Sequence, residues 1–147
     1  MAKWWTYGDA EALAWLLDER RRVQRGPTRR LSCAVGDYGE YLVWKALGGT
    51  RAAQASGQGD IELGGRRRVV EVKTTSDRKR PWYLGNMPAV NDFALVRIDV
   101  RDWSVTEAWF VPLPVARRYA VGSRYQLAAG GRWCTERHTR ALDLTRY

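Results

Sequence analysis

Apolar and polar positions recur along this chain with two different periods, and the change of period divides it into elements. Ala10, Leu13, Ala14 and Leu17 stand at helical spacing behind Asp9 as a cap, which predicts an amphipathic helix over 9–24, ended by Gly26-Pro27. Val35, Tyr38, Leu42 and Ala46 make the stripe of a second helix, predicted over 31–47 and stopped by Gly48-Gly49. Beyond it the period falls to two. A short strand is expected after Thr50, then a loop at Ser56-Gly57-Gln58-Gly59, then a hairpin running from Asp60 to Thr75.

Pro81, Gly85 and Pro88 rule out a long helix over 76–91, leaving a short helix or an ordered loop. Residues 92–100 are nearly continuously apolar, as a strand buried on both faces should be. A turn over 101–104 leads to another strand near 105–111, and Pro112 and Pro114 introduce a short helix ending near Tyr119. Gly130-Gly131, between Tyr125-Gln126-Leu127 and Trp133-Cys134, predicts a small C-terminal hairpin. A length of 147 residues suits one core, so the expected organisation is a single α/β domain over 1–147. Within it, 9–24 is an accessory helix, 31–111 the core and 112–147 a C-terminal extension.

A formal charge of +9 makes polyanions the obvious partners, because the fold must carry that positive potential on its surface. The charge is clustered: six arginines lie between Arg20 and Arg30, then come Arg66-Arg67-Arg68 and Arg78-Lys79-Arg80. Two cysteines, Cys33 and Cys134, have no metal-finger spacing and fit reduced thiols in a cytoplasmic protein. The single histidine, His138, excludes a histidine-based hydrolase or a histidine-rich metal centre. Neither a secretory signal nor a membrane-spanning stretch is visible, so no membrane partner is expected.

The hairpin carries the chemistry. With Gly64-Gly65 as a two-residue loop, Leu63 faces Arg66, Glu62 faces Arg67, Ile61 faces Arg68 and Asp60 faces Val69. Asp60, Glu62, Arg67, Val69, Glu71, Lys73 and Thr75 then share one face, with Ile61, Leu63, Val70 and Val72 on the other. Asp60 and Glu71 become diagonal neighbours roughly 7–8 Å apart or less, with Lys73 one step along the row. Converging carboxylates repel, and such a pair shares a proton or holds a divalent ion. With a lysine beside them, a Mg²⁺ site that can take up a phosphate is expected. The alternative is an amphipathic hairpin whose charges form surface ion pairs of little energetic weight.

Asp60, ten residues, then Glu71-Val72-Lys73, on a hairpin preceded by a helix containing Gly39-Glu40, resembles the PD-(D/E)xK nuclease superfamily, over about residues 31–111. Gly59 stands where the eponymous proline would be. The resemblance implies a restriction endonuclease-like core: a mixed central β-sheet flanked by helices, here with an extra N-terminal helix and a small C-terminal hairpin. It also implies a Mg²⁺-dependent endonuclease, with Mn²⁺ as a possible substitute, acting on nucleic acid, most plainly DNA. Asp60, Glu71 and the Val72 carbonyl would hold the ion and Lys73 would stabilise charge on the phosphate. Glu40, on its helix beside Val43 and Leu47, would hold the water or a second ion. Arg66, Arg67, Arg68, Arg78, Lys79 and Arg80 would grip the backbone, and Trp82 would stack on a base. Two alternatives accompany this expectation: a homodimeric, junction-resolving nuclease, and a non-catalytic nucleic-acid-binding module that keeps the fold.

Overall fold

A computed structural model describes residues 31–51, 60–64, 68–76, 78–85 and 90–144. The expected accessory helix over 9–24, the loop at 56–59, and Arg66 and Arg67 lie outside the described residues. The first described element is helix α1 (Leu31–Leu47). Strands β1 (Thr50–Arg51), β2 (Ile61–Leu63), β3 (Arg68–Thr75), β4 (Trp82–Tyr83), β5 (Asp92–Asp99) and β6 (Ser104–Pro112) follow. Helix α2 (Leu113–Tyr119), strand β7 (Gln126–Leu127), a 3₁₀ turn (Arg132–Thr135) and strand β8 (Arg140–Ala141) complete it. Among the described residues no helix is long and apolar enough to cross a membrane.

Six strands form one mixed sheet in the order β1-β2-β3-β5-β6-β8, in which β3 and β5 run parallel and the other neighbours antiparallel. The protein is thus α/β. A separate two-stranded sheet pairs β4 with β7. Side-chain alternation assigns the two faces of the main sheet to two cores. Val70, Val72, Ala94, Val96 and Ile98 pack with Val35, Leu42 and Val43 of α1. Phe93, Leu95 and Val111 pack on the opposite face with Trp82, Leu84, Val115, Leu127 and Trp133, so α2, the 3₁₀ turn and the β4–β7 sheet cover that side. Burial on both faces explains the apolar run of β5: its residues 92–98 are all buried.

Two glycines set how α1 meets the sheet. Gly48 leaves the helix with φ +74° while its N–H donates to the Trp44 carbonyl, a left-handed stop that a side chain would strain. Gly39 lies against β3 so closely that an added Cβ would sit 2.0 Å from Thr74 Oγ1. That hydroxyl is buried without a hydrogen-bond partner.

Two expectations change. The tail forms no hairpin between 125–127 and 133–134: β7 pairs with β4, Trp82 opposite Leu127 and Tyr83 opposite Gln126. Trp133 turns inward instead, stacked edge-on against Trp82 and Trp109, with its Nε1–H donated to the Ala128 carbonyl. Burying an indole outweighs the ladder bonds of a short exposed hairpin. Within 76–91, the breaker-rich segment supplies the short strand β4.

Gly39→Ala is expected to lower stability by about 1–2 kcal/mol, because overpacking of ~1–3 kcal/mol exceeds the helix-propensity gain of up to ~1 kcal/mol. Adding Thr74→Ala should recover part of the loss, since it removes the hydroxyl nearest the new methyl. Thermal melts of the two single variants and the double variant measure both effects.

Candidate active site

Strands β2 and β3 pair Ile61 with Val70, Glu62 with Val69 and Leu63 with Arg68, so the connecting loop spans 64–67 rather than two residues. The pairing sits two residues further along β3 than a Gly-Gly turn would set it. The gain is core packing: fully buried Ile61 meets fully buried Val70 instead of Arg68. Because the shift is even, the paired residues of β2 and β3 keep their expected faces. The paired register ends with Ile61 opposite Val70, and Asp60 lies just outside it.

At Asp60 the two strands part. The Asp60 N–H donates to the Val70 carbonyl at 2.9 Å, one residue out of step with the pairing of Ile61 and Val70. The next N–H on that edge of β3, from Val72, donates at 2.7 Å to Asp60 Oδ2. A side-chain carboxylate thus takes the place of a strand carbonyl. The N–H and C=O of one residue leave a strand by the same edge, which directs the Val72 carbonyl toward the same gap.

Glu71 and Lys73 flank Val72 on the opposite face from the Val72 side chain, and Lys73 Nζ lies 3.1 Å from Glu71 Oε1. Both are largely shielded, with side-chain exposures of 18% and 30% for Glu71 and Lys73. Burial holds the Glu71 carboxyl above the usual carboxylate range, the Asp60 charge raises it further, and Lys73 partly offsets both. The pair is therefore an acidic site with a net deficit of positive charge. Among the described residues no three of His, Cys, Asp and Glu come together as metal ligands, so the carboxylate donors number two.

Glu40 is not gathered with them. Helix α1 rests on the face of Val70, Val72 and Thr74, whereas Glu71 and Lys73 project from the other face. Among the described residues Glu40 does not complete a three-carboxylate group with Asp60 and Glu71.

The basic and aromatic candidates divide differently. Arg68 is committed to Asp92, with Nε 3.0 Å from Oδ2 and Nη2 2.7 Å from Oδ1. Asp92 is completely buried, and its charge requires that partner. Arg78 donates to Asp99, which also binds Arg101. Lys79 and Arg80 lie on the surface. Trp82 is buried, its Nε1–H donated to the Val96 carbonyl and its ring stacked 4.3 Å from the buried Arg97 guanidinium. It is a core residue and has no free face for a base. Asp92 was the readable sign of the Arg68 pairing, since a carboxylate at the head of a strand buried on both faces must meet a cation.

No family model and no curated protein matches the chain.

Two outcomes follow from this geometry. Arg68→Ala should destabilise the fold by about 2 kcal/mol or more by stranding a buried carboxylate, an effect read in chemical denaturation. For Glu71, the folded chain keeps its proton to higher pH than the unfolded chain, so stability falls as pH rises from the ordinary glutamate range through the raised value. Glu71→Gln should remove that fall, and its melting temperature should exceed the wild-type value by a margin that grows across this window and then levels off.

Proposed function

We propose that this chain is a divalent-metal-dependent nuclease with a restriction endonuclease-like core, hydrolysing phosphodiester bonds of DNA at the row Asp60, Glu71 and Lys73. One observation carries the proposal: where β2 parts from β3, the Asp60 carboxylate is held on the Val72 main chain close enough for its charge to raise the Glu71 pKa, and Glu71 is paired with the Lys73 ammonium. An antiparallel hairpin whose second arm pairs in parallel with a later strand, backed by a helix, supports the same class.

The donors suit a hard cation. Asp60, Glu71 and the Val72 carbonyl are oxygen ligands, and Mg²⁺ is commonly held by one or two carboxylates while water and a substrate phosphate complete its shell. Mn²⁺ accepts the same donors. When bound, such an ion supplies an activated water and neutralises charge on a non-bridging phosphate oxygen. Asp60 has a double duty, since it fixes the edge of β3 through Val72 N–H and contributes negative charge to the site. Lys73 stands beside Glu71 as a fixed positive charge for the oxygens on which charge builds during phosphoryl transfer. Partial burial strengthens its effect by lowering the local dielectric. The overall excess of nine positive charges favours a polyanionic substrate.

Purified protein should degrade plasmid DNA with Mg²⁺ or Mn²⁺ and not with EDTA. Asp60→Asn, Glu71→Gln and Lys73→Met should each lower cleavage by about 100-fold or more while the far-UV circular dichroism stays unchanged. Independently of turnover, Mg²⁺ at ~100 times its dissociation constant should stabilise the wild type by about 2.7 kcal/mol. This shift should exceed that of Asp60→Asn and shrink as Glu71 protonates. Wild-type cleavage by Asp60→Asn would sink the assignment; absence of any Mg²⁺ shift together with absence of cleavage would leave a binding module.

A further inference from the structure

We propose that the outer face of the β4–β7 sheet is a stacking platform for an unpaired nucleic-acid strand. The proposal rests on the nuclease reading for its purpose and names the substrate form. Alternation along β4 buries Trp82 and turns its neighbour Tyr83 outward, 40% exposed. Alternation along β7 buries Leu127 and leaves Gln126, which pairs with Tyr83, on the outer side. Tyr125, in the turn that leads into β7, is 41% exposed, and its carbonyl accepts the Leu84 N–H of the residue after β4. Two half-exposed tyrosines, one on β4 and one in the turn entering β7, thus border a small sheet that is held down by buried Trp82 and Leu127.

The surroundings are cationic. The Arg124 guanidinium lies 6.0 Å from the Tyr83 ring centre. Beside Gln126 runs an open groove of about 350 Å³ with Arg78 and Lys79 on one side and Val121 and Ala128 on the other. Arg78 is held by Asp99, which also binds Arg101. Exposed aromatic rings bordered by cations match a strand whose bases stack while its phosphates are neutralised, and stacking requires bases that are not already paired. Neither duplex DNA nor an acidic peptide would use the ring faces in this way.

The platform adjoins the acidic row. Trp82 packs over Arg97, which is paired in register with Thr75, and Thr75 is two residues, roughly 7 Å, beyond Lys73 along β3 on the same face. A strand resting on Tyr83 and Tyr125 is therefore led toward Lys73 and Glu71.

Fluorescence anisotropy in EDTA tests this without cleavage, using labelled thymidine and uridine oligonucleotides of about 15 residues, near the upper site size of single-strand binders. The full chain should bind at least one of the single strands more tightly than a blunt duplex of equal length, and the tighter of the two identifies DNA or RNA. Tyr83→Thr combined with Tyr125→Asn should weaken that binding about 10-fold or more, at ~1–3 kcal/mol per stacked base. These replacements suit a strand and the left-handed backbone of Tyr125 (φ +50°), respectively, and an unchanged thermal melt confirms folding. Tyr83→Phe should retain affinity, because it keeps the ring. Equal affinity of the double variant and the wild type, or equal affinity for single strand and duplex, would overturn the platform. Loss of binding in the tyrosine variants upholds the platform even if no cleavage is ever seen, and cleavage by a chain whose tyrosine variants bind normally upholds the enzyme alone.

Discussion

The hydrogen bond from Val72 N–H to the Asp60 carboxylate is the constraint on which the candidate site depends. A strand edge left without a partner exposes donors that must be satisfied by something, and here a side chain does it. Because the donor is the main chain of β3, the carboxylate is fixed relative to the sheet and not to a flexible neighbour. The residues on either side of Val72 then inherit their position from strand geometry alone. Glu71 and Lys73 project together from one face, and the Asp60 carboxylate, held on the main chain between them, lies close enough for its charge to act on Glu71.

The second constraint is that the sheet has two unlike faces. One is flat enough, through Gly39 against Thr74, for α1 to lie close on Val70 and Val72. The other is covered by a patchwork of α2, the β4–β7 sheet and a 3₁₀ turn, built around Trp82 and Trp133. That patchwork stops short of a complete lid: Phe93 and Leu95 of β5 are fully buried while Glu71 and Lys73, paired with them in register, remain partly open. A partly covered acidic pair feels stronger electrostatic interactions than one in open water and keeps a route to solvent.

Charge on this molecule serves the fold before it serves any partner. Arg68 is consumed by buried Asp92, and Arg97 is sandwiched between Trp82 and Glu107. A basic composition therefore overstates the cations available at the surface. Aromatic residues show the same division within a single dipeptide, for Trp82 is core and Tyr83 is surface.

Periodicity and the placement of prolines determined where α1, β5, β6 and α2 lie, and periodicity determined that Glu71 and Lys73 share a face, because alternation within a strand is local and survives an even shift of register. It could not determine the register itself. Ile61 meeting Val70, and Arg68 reaching Asp92 some two dozen residues away, are non-local gains that overrode the Gly-Gly turn. Nor could it determine which face a helix covers. Glu40 and Trp82 were misplaced for that reason: the side on which α1 packs, and the partner that β7 chooses, are decided by burial across the whole core, where Trp133 competes successfully for the space a terminal hairpin would have left empty.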